Sequence, residues 1–203
     1  MKKADLLSTL FVGIDVSSRE NVVCAIDFEQ QKRLKFSVPN NQPGAVMMAE
    51  KLQQFFSNNT DVNKLVVALE STSFYGVHIA NYLSSCETLM PFYTHVYCIN
   101  PKLVANYKKS YVGLGKNDAI DAFIIADFAR VGRITSAPWR GSQFLALQRL
   151  TRHRLHLAKS LTREKTYMLS NIFLKFSEFS ILDDEEQPFS NNYGTTASAV
   201  LTD

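Results

Sequence analysis

The sequence is poor in cysteine and lacks any apolar run of membrane-spanning length. Its 203 residues include three cysteines, Cys24, Cys86 and Cys98, which lie far apart and form no CxxC pair. We therefore expect neither a disulfide framework nor a zinc site, and a reducing cytoplasm is the expected compartment. No uncharged apolar run approaches the roughly 18 residues that a membrane span requires. We also expect no signal peptide, and the sequence contains no internal repeat.

Basic and acidic residues are segregated toward the C-terminus, although the formal net charge is only +3. Residues 149–175 contain seven Lys or Arg and one acid, whereas residues 176–203 contain six acids and no Lys or Arg. This asymmetry predicts an element that faces a polyanion, followed by a segment of different character. The hydrophobic fraction of 46% is sufficient for a sizeable core.

The order of strand and helix patterns predicts an α/β fold. Apolar, β-branched runs predict strands over residues 10–16, 21–28, 33–39, 63–70 and 95–100. Amphipathic or helix-favouring stretches predict helices over residues 44–56, 73–85, 101–110 and 117–132. Three strands in a meander come first and alternating units follow, which predicts a mixed sheet with helices on its faces.

A long amphipathic helix is predicted after a linker that contains Pro138 and Gly141, and it runs to about Lys175. One narrow face is apolar and the opposite face is basic. The apolar seam consists of Leu147, Leu150, Leu157, Leu161, Met168 and Ile172, and the basic face of Arg149, Arg152, His156, Lys159 and Arg163. A seam of this kind favours pairing with another helix, as in a coiled coil. The alternatives are a helix packed on its own domain and a basic face that is merely solvated.

Four carboxylates stand out by their placement in the predicted elements. Asp15 lies inside the first apolar strand, where an unpaired charge costs several kcal/mol, and Glu70 ends the fourth strand. Asp118 and Asp121 are three residues apart at the start of a helix, so they share a face. Each could also be an ordinary surface acid, and acids at a helix start are favoured by the macrodipole.

Taken together, the four acids have the layout of the RNase H-like fold, in which the first and fourth strands are adjacent and parallel. Carboxylates that lie close together repel one another and cannot all ionise without a cation. Two Mg²⁺ ions would neutralise them and would clamp the attacking and leaving oxygens of a phosphodiester. Mn²⁺ is expected to substitute for Mg²⁺. The sequence therefore favours a carboxylate metal site on this fold.

Three stretches resemble the motifs of the DEDD insertion-sequence transposases, the group that includes the Piv DNA invertase. They are "GIDVSS", "ALESTSFYG" and "GKNDAIDAFIIADFARVGR", and "LTRHRLHLAKSLTREKTYMLSNIFLKFS" resembles the helical segment that follows in the same family. The resemblance implies a RuvC-like domain in which Asp15, Glu70, Asp118 and Asp121 are the catalytic, metal-binding DEDD residues. It also implies DNA recombination and transposition, a structured guide RNA, assembly as dimers or tetramers, and a location on the bacterial nucleoid.

The sequence departs from that family in its C-terminal part. Family members carry a serine nucleophile in a glycine-rich C-terminal domain, and this sequence has no matching segment. We therefore expect this chain alone to be unable to complete recombination. The predicted organisation is a RuvC-like domain over residues 1–138, a basic dimerisation helix over residues 139–176 and an acidic tail over residues 177–203, the start of a further C-terminal region.

Basic residues on both sides of the acidic helix are candidates for gripping nucleic-acid phosphates. The candidate set is Lys108, Lys109, Lys116, Arg149, Arg152, Lys159 and Arg163. Tyr107 and Tyr111 alternate with these lysines and suit base stacking, although they could equally lie at the edge of the core. Asp127 is predicted to form a surface pair with Arg130.

Three other functions are compatible with parts of the pattern. A stand-alone Holliday-junction resolvase would share the acids without needing the long helix. A sugar kinase or actin-like ATPase would share "GIDVSS" but needs a second glycine-rich phosphate loop that the sequence lacks. A non-catalytic module that binds nucleic acid and oligomerises would use the carboxylates only to hold metal structurally.

Overall fold

The computed structural model describes residues 6–71, 74–111 and 118–178. In this part of the chain five strands form one sheet: β1 (Thr9–Val16), β2 (Glu20–Ile26), β3 (Lys32–Pro39), β4 (Lys64–Glu70) and β5 (His95–Ile99). The helices are α1 (Gln42–Asn58), α2 (Tyr75–Ser85), α3 (Pro101–Lys108), α4 (Asp118–Arg130) and α5 (Ser142–Lys175). A short 3-10 helix, Glu87–Phe92, follows α2. None of these helices is long and apolar enough to cross a membrane.

The strand order is β3-β2-β1-β4-β5. The meander β1-β2-β3 is antiparallel, whereas β4 and β5 run parallel to β1. This confirms the predicted RNase H-like sheet, in which the first and fourth strands are neighbours. Since β1 and β4 are parallel, their carboxyl ends reach the same edge of the sheet.

Each face of the sheet has its own apolar core. One cluster includes Leu10, Val12 and Ile14 of β1 together with the buried face of α1 and α2. The other includes Phe11 of β1 and buried residues of α4. Alternate residues of β1 therefore point to opposite sides, and β1 is enclosed by helices on both of its faces.

Local sequence signals explain several helix starts. The Asn41 side chain accepts a hydrogen bond from the backbone N–H of Gly44 at 2.9 Å, and Pro43 occupies the first turn of α1. Asn100 caps α3 in the same way, through the N–H of Lys102 at 3.0 Å. These caps satisfy backbone donors that the helices themselves leave unpaired.

The chain divides by its internal contacts into two compact units, Met1–Gln143 and Phe144–Asp203. The second unit contains most of α5, a single helix of 34 residues whose predicted existence is confirmed. Four leucines of the predicted seam are between 54% and 67% exposed: Leu147, Leu150, Leu157 and Leu161. The predicted domain boundaries and the role of the helix in dimerisation stay predictions, and most of the acidic tail lies outside the described residues.

Candidate carboxylate site

Two of the predicted acids reach the same sheet edge on neighbouring strands. Asp15 is the penultimate residue of β1 and is partly buried, and Glu70 is the last residue of β4. The parallel register pairs Ile14 with Leu69, so Asp15 and Glu70 are each one residue beyond that pair. Their backbones are therefore side by side at the carboxyl end of the central strands.

The other two predicted acids occupy the first turn of α4, which packs across β1. A close approach at Gly13 makes this packing possible. A Cβ atom at Gly13 would lie 2.0 Å from the backbone oxygen of Ala122 and 2.4 Å from the backbone nitrogen of Ala126. Only glycine fits here without a backbone shift, and the contact sets how near Asp121 comes to Asp15.

The electrostatics of Asp15 and Glu70 show the influence of the other predicted acids. Burial raises the pKa of Asp15 above its ordinary value, and the nearby charges of Asp121 and Asp118 raise it further. Burial likewise raises the pKa of Glu70, and the negative charges of Asp15 and Asp121 raise it further. The structure therefore brings Asp118 and Asp121 into electrostatic range of Asp15, and Asp15 and Asp121 into range of Glu70.

Lys108, at the end of α3, is the basic residue in contact with this group. Its Nζ donates to Oδ1 of Asp121, and both side chains are about 30% exposed. The Lys108 charge partly opposes the rise in pKa at Asp15 and at Glu70. The Lys108 ammonium thus supplies positive charge to this acidic group. The sequence predicted Lys108 as a phosphate ligand. Its contact with Asp121 was not predicted, because the two residues lie on different helices that only the tertiary structure brings together.

The donor chemistry of the cluster fits a hard divalent cation such as Mg²⁺, because all four donors are carboxylates. Burial and, after it, like-charge repulsion raise the pKa values of Asp15 and Glu70, and a bound cation would relieve that repulsion. Among the described residues, no group of three or more His, Cys, Asp or Glu side chains is already gathered at ligand distance.

A fifth acid on α4 has a different environment. Asp127 is fully buried and is not the surface residue that the sequence predicted, although its pairing with Arg130 is confirmed at 2.6 Å. Both tyrosine hydroxyls of Tyr107 and Tyr111 donate to its Oδ2, and Gln30 donates to Oδ1 at 2.7 Å. The signal for burial was present in the sequence, since Asp127 interrupts the apolar run "FIIADFA".

The two tyrosines are consequently committed to Asp127. Their rings are in edge-to-face contact with centroids 5.6 Å apart, and the Tyr107 ring also packs on Phe128 at 5.4 Å. This favours the core-edge interpretation over base stacking for both residues. Asp127 thereby ties α3 and the β2–β3 connection to α4.

The predicted nucleic-acid ligands fall into two groups. Lys109 is exposed beside Lys108, and its Nζ donates to Oδ1 of Asn106 at 3.2 Å. The other described candidates lie on α5, where Arg163 contacts Glu164 at 3.7 Å: Arg149, Arg152, Lys159 and Arg163. Lys116 and the predicted cap Asn117 lie outside the described residues.

Comparisons with known proteins give a family match and a similar structure. The model of the DEDD transposase family of the IS110 type, described as a transposase, matches residues 12–175. No curated protein matches the chain. Among solved structures, T. thermophilus RuvC in complex with Holliday junction substrate is similar, with 14% identity and a TM-score of 0.43. That alignment covers 64% of this chain and 99% of the RuvC chain.

Proposed function

Because the chain belongs to the DEDD transposase family of the IS110 type, we propose that its sheet domain is a metal-dependent catalytic domain that acts on DNA phosphodiesters. Asp15, Glu70, Asp118 and Asp121 are the residues that hold Mg²⁺, or Mn²⁺ in its place. The observation that supports the proposal is that Asp15 and Glu70 lie side by side at the carboxyl ends of β1 and β4, with Asp118 and Asp121 in the first turn of the helix that packs on β1.

Each acid has a definite task in this proposal. Asp15 and Glu70 are fixed by the sheet and form the rigid side of the site, whereas Asp118 and Asp121 approach from the helix that Gly13 admits. When bound, two divalent ions would stabilise the attacking and leaving oxygens of the phosphodiester. The partial burial of Asp15 and Glu70 strengthens their attraction for a cation, because fewer water molecules screen their charge.

The test is metal-dependent binding and cutting of duplex and branched DNA by the purified chain. Asp15→Asn and Glu70→Gln should each lower the metal-dependent signal at least tenfold, because each removes a ligand charge while keeping the side-chain shape. Asp61→Asn is the matched control, since Asp61 is an exposed acid in the connection that enters β4 at its opposite end. Wild-type behaviour of both Asp15→Asn and Glu70→Gln would disprove the proposal.

We further propose that the basic face of α5 binds nucleic acid, with Lys108 and Lys109 contacting phosphates nearer the carboxylates. Exchanging Arg149, Arg152, Lys159 and Arg163 together for Gln should weaken DNA binding and flatten its dependence on salt. The slope of log K against log salt should fall by about 0.9 for each duplex phosphate contact that is lost. An unchanged slope would assign binding to other residues.

A structured guide RNA is the second polyanion that this face is proposed to bind. The support is the family membership and the concentration of cations on one side of α5. The same quadruple Gln variant should lose affinity for a structured RNA encoded beside the gene. If the variant loses DNA affinity alone, the RNA is held elsewhere or is not a partner. Association with the bacterial nucleoid would follow from these interactions and belongs to the same proposal.

The seam of α5 is proposed to pair with the α5 helix of a second copy. Its exposed leucines are spaced as in a coiled coil, and burying them removes apolar area from water. Leu150→Glu with Leu157→Glu should shift the chain toward monomer in sedimentation. Leu155→Glu is the matched control, because Leu155 is equally exposed at 55% but lies off the seam. Equal effects of the two changes would contradict a specific seam.

A non-catalytic role in binding and assembly is the second candidate function. The contact of Lys108 with Asp121 favours it, since the cluster already contains one cation. In that case the chain would bind metal and DNA without cutting, and Asp15→Asn would leave DNA binding unchanged. The two functions are therefore separated by the same DNA experiment.

A further inference from the structure

The contact between Lys108 and Asp121 is the most informative feature that the proposed function does not explain. Lys108 is the last residue of α3, and its ammonium reaches a carboxylate thirteen residues away at the start of α4. The same ammonium is close enough to Asp15 and Glu70 to favour their charged forms. Lys108 therefore contacts an acid of the helix and acts electrostatically on the acids of both strands.

The position of Lys108 is built into the fold. The residue before it, Tyr107, is anchored to Asp127 by its hydroxyl and to Phe128 by its ring. The Asn100 cap fixes the other end of the same short helix. Lys109, one residue further on, is exposed and binds Asn106 within its own helix. Only one of the two adjacent lysines is thus directed at the carboxylates.

An ammonium group and a divalent ion that both contact the same carboxylate repel each other. Two cations about 4 Å apart repel each other strongly when few water molecules lie between them. Asp121 is also one of the four residues proposed to hold metal. Binding of a divalent ion at Asp121 must therefore move Lys108 away or leave it in an unfavourable position.

We propose that Lys108 is a built-in counter-cation that competes with the divalent ion for Asp121, an inference that rests on the proposed metal site. Without metal, Lys108 neutralises part of the cluster and stabilises the approach of α4 to β1. With metal, its ammonium leaves Asp121 and is available to a phosphate of the nucleic acid. The apparent metal affinity is lowered by the fraction of molecules in which Lys108 holds Asp121.

The experiment measures Mn²⁺ binding to the full chain by calorimetry, without nucleic acid, together with the melting temperature in EDTA. Lys108→Gln should bind Mn²⁺ several-fold more tightly than wild type, and it should melt at a lower temperature in EDTA. Lys109→Gln should match wild type in both measurements. Lys108→Arg keeps the positive charge and should bind Mn²⁺ and melt in EDTA as wild type does. This variant separates the effect of the charge from a folding defect in the Gln variant.

Two contrary results are distinguishable. Equal or weaker Mn²⁺ binding by Lys108→Gln, with binding still abolished by Asp15→Asn, would overturn the competition and leave the metal site intact. Absence of Mn²⁺ binding in wild type and in every variant would overturn the metal site, and the competition with it.

Discussion

The two ends of α4 show how one helix uses aspartate for opposite purposes. Asp118 and Asp121, in its first turn, add negative charge beside Asp15, and among the described residues Lys108 pairs with Asp121. Asp127, two turns later, is fully buried and receives hydrogen bonds from four side chains. At the first end, the negative charges are only partly offset by Lys108. At the second end, the oxygens of Asp127 accept hydrogen bonds from four side chains.

The pKa directions express the same difference. Burial works against the charged form of Asp127, but hydrogen bonds from Tyr107, Tyr111, Gln30 and Arg130 outweigh it and lower the pKa below the ordinary 3.8. Burial and like charges instead raise the pKa values of Asp15 and Glu70. A buried acid with satisfied partners stabilises a fold, whereas crowded acids hold unfavourable charge that a cation can relieve. This is the physical basis for assigning structure to Asp127 and function to the others.

The largest expected effect comes from removing the satisfied acid. Asp127→Ala leaves Arg130 and two half-buried tyrosine hydroxyls without their acceptor in the core, so the free energy of unfolding should fall by about 3–5 kcal/mol. Equilibrium unfolding in urea measures the loss. Asp61→Ala, at an exposed position, should change stability by less than about 0.5 kcal/mol. Similar losses for the two variants would show that the Asp127 network does not stabilise the protein.

The strands and helices were predictable because their patterns are local. In the described part of the chain, the strands β1–β5 and the helices α1–α5 were predicted within a few residues of their observed bounds. The 3-10 helix Glu87–Phe92 was missed, since it is short and contains Pro91. The burial of Asp127 was also missed, although the residue interrupts an apolar run; its partners Gln30, Tyr107 and Tyr111 come from other elements and could not be identified from spacing. Sequence spacing shows which acids share a helix face, but it does not show which lysine or tyrosine the fold brings to each.

A smaller loss of stability is expected from a change at Gly13, where α4 packs on β1. Gly13→Ala places a methyl group against the backbone of Ala122 and Ala126, which cannot yield as a side chain can. Stability should fall by about 1–3 kcal/mol, and stabilisation by Mn²⁺ should diminish because Asp118 and Asp121 move away from Asp15. Thermal melts with EDTA and with Mn²⁺ measure both effects.

The matched control for that change is Gly76→Ala. Its added methyl group would meet the end of the Leu69 side chain at 2.7 Å, and a flexible side chain can shift. Gly76→Ala should therefore cost less stability and leave the response to Mn²⁺ unchanged. If Gly13→Ala kept the full Mn²⁺ response, the spacing between α4 and β1 would not control the site.

The smallest effect is a difference in acid dependence between the two kinds of acid, measured in EDTA. Asp15→Asn should raise stability at neutral pH by about 1 kcal/mol or less, the scale for partly exposed charges, because it removes a crowded charge. The folded-state pKa of Asp15 is raised, so wild type gains stability as pH falls from that pKa toward 3.8, and its deficit relative to Asp15→Asn should close in this window.

Asp127 should behave in the opposite way, because its folded-state pKa is lowered. The stability that it contributes is fully present above 3.8 and is lost as pH falls through the folded-state pKa. The advantage of wild type over Asp127→Asn should therefore stay constant from neutral pH to about 3.8 and shrink only below it. In urea unfolding from pH 7 to pH 3, the stability difference caused by Asp15→Asn should change above pH 3.8, and that caused by Asp127→Asn should change below it. A common window for both would mean that the two ends of α4 do not differ in how they hold charge.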